Sequence, residues 1–453
     1  MLTQSLGPPF HLLSLILTLL VPLGICRGEE KSLVRTADPL EVSGDSLPGI
    51  IGAPLERIRV SALRDRSWSR VSSQIDERRR VRRESGEVFL DYVLQEGIQS
   101  QEDDDPAFDG DDLLVFLSRD LGDRAGSEDM VPSDGPVYEI EATDPRDGSS
   151  GWVYVSVAPK DLSAPGEDYV SYRPDESILE GSRYRIHLSR ENPLLYEQLV
   201  LKGGVPKTGA TERSIVDRFK MRAKASVVLP FFRFRRNEED LRSRTVAWTD
   251  GPVRVIRRTE TWVDLLWGFT TQAQVQDTIF YPDHFYFAVD LTSPVALDRL
   301  IARAEVRLSA DLNEQAVGML FVSRGNTSGL MIDGVMSEQE RSMETEGQYW
   351  YAVGDADATL YSRLIIPQDA PVQASLVYMD DRGEVDPPEE HPGRWGDAGY
   401  RISGLESVGK GSYQLLLHSM VGEGYRAGHE RAFLDITDRP LSWNCRPLRD
   451  VDL

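Results

Sequence analysis

Between Asp386 and Tyr400 the chain gathers carboxylates, an imidazole and an indole: Asp386, Glu389, Glu390, His391, Trp395 and Asp397 stand close together in sequence. Such groups can hydrogen-bond the hydroxyls of a sugar or act as an acid and base on it, and an aromatic ring offers a face for stacking. Pro387, Pro388, Pro392 and Gly393 break regular structure here, so the stretch reads as a long, stiffened loop between strands. Loops of this kind carry function disproportionately. Asp386, Glu389, Glu390, His391, Trp395 and Tyr400 are therefore candidate ligand-binding residues. Glycosidase chemistry needs fixed through-space separations between carboxylates, so the catalytic residues stay unassigned.

A second candidate lies in the aromatic-rich middle of the chain. Phe285, Phe287 and Val289 alternate as one buried strand face, which leaves His284, Tyr286 and Asp290 on the other. His284 and Tyr286 join the candidate ligand residues.

The third candidate is an acidic knot, Asp103 to Asp105 followed by Asp109, Asp111 and Asp112. Clustered carboxylates suit calcium. The EF-hand pattern fails, because Ala107 and Phe116 fall where oxygen ligands are required when Asp105 is the first position. A different calcium loop through Asp105, Asp109, Asp111 and Asp112, or a solvated acidic turn, are both open. No other cofactor is indicated: the histidines are scattered, and neither zinc spacing, a nucleophile elbow, a phosphate-binding loop nor a dinucleotide fingerprint is present. A formal net charge of −23 repels nucleic acid and anionic membrane. Ten arginines in residues 57–83 precede ten acidic residues in 87–112, so these neighbours partly neutralise each other across one surface, or the arginines form a basic docking patch for an acidic partner.

The elements that must position these groups are mostly strands. Residues 12–25 form an apolar run of signal-peptide length, and a cut after Gly28 would follow small residues at the usual positions. Export to the periplasm or extracellular space is expected. Ile25 is bulky where lipoprotein signals carry a small residue, although the fate of Cys26 stays open. No later segment is long and apolar enough to span a bilayer. Residues 29–54, rich in Pro and Gly, read as a flexible leader.

The run Leu113 to Leu117 reads as a buried strand. Val137 to Thr143 and Trp152 to Val157 alternate on either side of an Asp-Pro/Gly turn and predict a hairpin. Further alternating runs follow to Ser412–His418 and Ala432–Ile436, while Leu297 to Leu308 fits helical spacing better, although Glu305 to Leu308 also alternates, and its type stays open. The expectation is a mostly β chain: a β-sandwich-like N-terminal domain in 55–195 and a larger C-terminal sandwich, supersandwich-like arrangements included, in 196–453.

Three stretches carry a resemblance: Gln74-Ile75-Asp76-Glu77, the run Asp111 to Ala125 containing Leu-Val-Phe and Arg-Asp-Leu-Gly-Asp-Arg-Ala, and Gly151-Trp152-Val153-Tyr154. With the loop from Asp386-Pro387-Pro388-Glu389 to Gly399-Tyr400, they resemble a group of secreted bacterial β-rich proteins of unassigned function. The resemblance carries no catalytic residue over, and Leu113 stands where an acidic residue is expected. Asp250 to Arg257 is similar to a strand of large β-sandwiches in carbohydrate-active proteins. Together these readings point to an exported, non-catalytic binding or assembly protein of the cell envelope, with a glycan or another envelope protein as partner. A carbohydrate-active lyase or hydrolase using the loop carboxylates is the alternative.

Overall fold

The computed structural model describes residues 28–82, 88–101, 107–131, 133, 135–158, 166–203, 212–227, 233–264, 270–293, 301–383, 395–409 and 411–448. The expected signal peptide, apart from Gly28, lies outside them. The chain is mostly β, and every strand pairing among the described residues is antiparallel.

Two nine-stranded sheets form the larger sandwich. Glu212–Val227, Ile301–Leu312 and Gly396–Ser403 lie side by side in the back sheet, and Gln373–Met379 forms its edge beside them. At the centre of the front sheet are Val255–Val263, Gln274–Phe280, His284–Ser293, Gly411–Glu423 and Ala358–Ile365. Alternation decides which side chains meet between them: Leu308, Ala310 and Leu312 from the back sheet pack with Phe285, Phe287 and Val289 from the front. Each large side chain removed from water contributes about 1.5–3 kcal/mol. The ambiguous segment before Leu308 is thus a strand from Ile301 on, because pairing on both sides fixes the even-numbered residues inward. Residues 297–300 lie outside the described set.

Two smaller sheets form a second sandwich. Pro39–Ser43, Leu113–Leu117 and Ser73–Asp76 make a three-stranded sheet in that order. It packs Leu40, Val42, Leu114 and Phe116 against Ile140, Val153, Val155 and Val60 of a five-stranded sheet. That sheet contains the hairpin expected from sequence, as Val137–Thr143 paired with Ser150–Val157. The opposite face of Leu113–Leu117, through Leu113, Val115 and Leu117, packs on Val253 and Tyr281 of the front sheet. This explains its unbroken apolar run: a strand covered on both faces has no position for a polar residue. Four sheet layers result, with the three-stranded sheet lying on the outer face of the front sheet.

Three expectations change. Residues 29–54 are not a loose leader: Ser32 and Leu33 both donate to the Ser150 carbonyl at 2.9 Å, Pro39–Ser43 is a strand, and Leu40, Val42, Leu47 and Ile50 are buried. Its apolar residues are too few and too widely interrupted by Pro and Gly to show a period, yet each finds a place in the core. Ala432–Ile436 belongs to a helix, Glu430–Asp438, which buries Phe433 and Ile436 at a spacing of three. The strands from Ser171–Arg173 to Tyr196–Lys202 belong to the back sheet, so a cut between residues 195 and 196 runs through one sheet. The C-terminal strand Ser442–Pro447 likewise returns to pair with Val137–Thr143 of the small sandwich. No helix among the described residues is long and apolar enough to cross a membrane.

Candidate functional site

A cleft of ≈ 1110 Å³ runs along the outer face of the front sheet, where the small sandwich leaves that face uncovered. Its volume suits an extended ligand. Phe285 and Phe287 point into the core, so strand geometry sends Tyr286 and Ala288 outward to form the floor, beside Ile279 and Leu416 of the adjoining strands. Glu41 enters from Pro39–Ser43. Asp91 and Tyr92 come from a hairpin, Arg78–Arg82 paired with Val88–Tyr92, and Trp443 comes from the C-terminal strand.

Ion pairs fix these walls. Arg254, with no exposed surface, donates from Nε to Asp76 Oδ2 at 2.7 Å and from Nη1 to Glu41 and to the Tyr281 hydroxyl, the latter at 2.6 Å. Burial opposes its charge, but Asp76, Tyr281, Tyr92 and Glu41 hold its pKa well above the ordinary arginine value. The Tyr281 hydroxyl donates onward to Glu41 Oε1 at 3.0 Å, and 43% of the Glu41 side chain is accessible. Gln74 completes the junction: its Oε1 accepts from the Arg254 backbone N–H at 3.0 Å, and its Nε2 donates to Asp76 at 2.5 Å. Two stretches singled out in the sequence, Gln74 to Glu77 and Asp250 to Arg257, therefore meet here.

Arg258 makes a second junction. It grips Asp277 with two bonds of 2.8 Å and reaches Asp91 of the hairpin at 2.6 Å. Such planar, two-pronged pairing is specific to a guanidinium. Arg35 makes a third, donating from Nε to Asp38 at 3.0 Å and lying 3.5 Å from Asp144. Burial, partly offset by Arg35, raises the Asp38 carboxyl above the usual range.

Behind the floor runs a row of rings. Tyr281 stacks on His284 at 4.7 Å, Tyr286 stacks on His418 at 4.3 Å, and the two imidazoles meet edge to face at 5.2 Å. Tyr286 and His418 are direct cross-strand partners, so register sets this contact. All four imidazole nitrogens are buried and find no hydrogen-bond partner among the described residues. Burial, and then the charge of Arg119, lowers the His284 pKa to about 3, and His418 is likewise held neutral.

The residues expected from sequence separate into groups. Tyr286 lines the cleft, and His284 stands behind it, fully enclosed. Asp386, Glu389, Glu390 and His391 lie outside the described residues. Trp395 carries the Arg382 guanidinium 3.6 Å above its ring. Asp397 is buried with Arg307, and the Lys220 ammonium stands 3.7 Å from it and 2.9 Å from Asp311. Tyr400 must be corrected: it lies in the core between the two large sheets, its hydroxyl donating to Ser362 at 3.4 Å. Alternation with Ala398 and Ile402 places it inward, away from any ligand.

In the acidic knot Asp105 lies outside the described residues. Asp109 Oδ1 accepts from the backbone N–H groups of Asp111 at 2.9 Å and Asp112 at 3.3 Å, and Asp112 Oδ2 accepts from that of Asp109 at 2.8 Å. These oxygens shape a turn. Among the described residues no three His, Cys, Asp or Glu side chains come together as a metal site.

Sequence reasoning missed Glu41, Asp91, Arg258, Asp277 and Trp443. Arg258 and Asp277 are cross-strand partners, a relation that only the register discloses. An arginine and an aspartate facing outward on neighbouring alternating strands were the available signal.

No family model matches the chain, and no curated protein matches it. Among solved structures, an α-mannosidase from Enterococcus faecalis V583 is similar at 9% identity and a TM-score of 0.39, over 93% of this chain and 45% of its own. A protein in the glycosyl hydrolase family 38 from Enterococcus faecalis is similar at 9% identity and a TM-score of 0.41, over 92% of this chain and 46% of its own. The chain thus spans less than half the length of either.

Proposed function

We propose that the chain is a glycan-binding protein of the cell envelope, exported by the apolar segment at residues 12–25, and that its ligand lies in the cleft on the front sheet. The observation that carries this is the composition of the cleft wall: Tyr92, Tyr286 and Trp443 share it with Glu41, Asp277 and Gln414. Aromatic faces take the C–H faces of a sugar, and carboxylates and amides take its hydroxyls. Strands, a hairpin and buried arginines hold these groups in place, which lowers the entropic cost of binding.

Titration calorimetry of the full chain against neutral, acidic and amino oligosaccharides tests the reading, with product analysis by chromatography after prolonged incubation. Binding of at least one class without turnover is expected. Absence of binding to all three classes overturns the glycan assignment, and cleavage of the bound oligosaccharide replaces the binding protein by a carbohydrate-active enzyme.

A further inference from the structure

We infer that the oligosaccharide taken by the cleft carries free amines, a glycosamine polymer in preference to a neutral or acidic one. This rests on the glycan reading of the same cleft and specifies its ligand. Three guanidiniums brace the walls, and each serves two carboxylates: Arg254 serves Glu41 and Asp76, Arg258 serves Asp91 and Asp277, and Arg35 serves Asp38 and Asp144. Together these sets hold six carboxylates against three guanidiniums. Arg79, the cross-strand neighbour of Asp91, offsets one of them and leaves the wall anionic.

Four of these carboxylates, on Asp38, Glu41, Asp91 and Asp277, belong to residues lining the cleft itself. A concave site with apolar walls focuses such a field, so the excess acts on whatever enters. Glu41 is the most direct contact, because its side chain is well exposed while Arg254 and Tyr281 hold it from behind. The half-buried rings of Tyr286 and Trp443 add faces that attract an ammonium group. A neutral sugar meets these carboxylates only through its hydroxyls, and an acidic sugar is repelled by them. A glucosamine unit presents both a ring face and a cation.

The test compares two ligands with one backbone: a chitosan oligomer and the fully N-acetylated oligomer of the same length, titrated calorimetrically into the full chain at about pH 6, where a carboxylate is ionised and an amine is substantially protonated. The chitosan oligomer is expected to bind at least about ten-fold tighter, with the difference shrinking as salt is raised. The preference is also expected to fall in Glu41→Gln and in Asp277→Asn, each checked for folding by thermal melting. Equal affinity, or tighter binding of the acetylated oligomer, overturns the amine assignment and leaves the glycan reading standing. Failure of every oligosaccharide to bind overturns both. A preference that survives unchanged in both folded variants places the amine elsewhere and overturns the assignment to this cleft. Tighter binding of an oligolysine of equal charge identifies a basic peptide as ligand and overturns it as well.

Discussion

Arg254 and Asp76 face each other across the boundary between two layers of the fold, 2.7 Å apart from Nε to Oδ2, with 0% and 2% of their side chains accessible. Asp76 ends a strand of the three-stranded sheet, and Arg254 stands just before a strand of the front sheet. The pair joins the two sandwiches beside the cleft, and Glu41, one of its members' partners, faces the ligand space.

Replacing Asp76 by Asn leaves a buried guanidinium without its buried counter-ion. A buried ion pair adds little net stability when made, but breaking one from a single side costs about 3–5 kcal/mol. Urea unfolding of Asp76→Asn is expected to show a loss of that order. A loss below about 1 kcal/mol would show that Glu41 and the tyrosines suffice to hold Arg254.

Arg258 holds the hairpin Arg78–Arg82/Val88–Tyr92 to the front sheet through Asp91. A two-stranded hairpin is marginal when it stands alone. In Arg258→Gln the carboxylates of Asp91 and Asp277 lose the cation they share, and the hairpin should open more often. Arg78, Arg79, Arg80 and Arg82 make it a trypsin substrate whenever it opens. Limited trypsinolysis is expected to cut there about ten-fold faster than in the wild type, tracking the open population. An unchanged rate means that other contacts secure the hairpin.

The imidazoles behind the cleft make stability depend on pH. Burial keeps the folded-state pKa of His284 at about 3 and that of His418 well below its ordinary value. An unfolded imidazole titrates near about 6.5, so below that pH the unfolded chain binds protons that the folded chain refuses. Stability contributed by each neutral histidine is complete above that value and falls as pH drops toward the folded pKa, by up to about 1.4 kcal/mol per pH unit. Asp250 and Asp380, both raised by burial to about 6, work in the opposite sense, because the folded state takes up their protons first. A comparison of variants therefore isolates the imidazole effect. In His418→Phe, unfolding free energies from urea titrations at about pH 6 to 4 should fall less steeply than in the wild type, by about 1 kcal/mol per pH unit. Parallel slopes would show that the ring nitrogens reach water.

Periodicity made much of the architecture legible. The hairpin from Val137 was read from its alternation and its Asp-Pro/Gly turn, and Leu113 to Leu117 from a run with no polar position. Phe285, Phe287 and Val289 disclosed which face of their strand is buried, and hence that Tyr286 points outward. The cleft itself was not legible, because it is made where segments far apart in sequence converge. Glu41 sits in a stretch whose Pro and Gly hide its strand, and Trp443 reaches the small sandwich only because the C-terminal strand returns to it. Tyr400 differs from its expectation for a local reason: the sequence before it is polar and rich in Pro and Gly, whereas its own position belongs to a strand with alternating burial.

That reassignment of Tyr400 separates two explanations of binding. Tyr400→Phe removes one hydrogen bond of 3.4 Å inside the core, so a stability change below about 1 kcal/mol and an unchanged oligosaccharide affinity are expected. Tyr286 and Trp443 stand on the cleft wall, half-buried, where each offers a ring face to a ligand. Truncating an aromatic anchor of this kind typically costs more than about 1 kcal/mol of binding, so Tyr286→Ala and Trp443→Ala should each weaken the oligosaccharide about ten-fold. Tyr286→Ala also exposes His418, so its folding must be checked by melting, while Trp443 on an edge strand provides the cleaner variant. Affinity lost in Tyr400→Phe and kept in Trp443→Ala would move the ligand out of the front-sheet cleft.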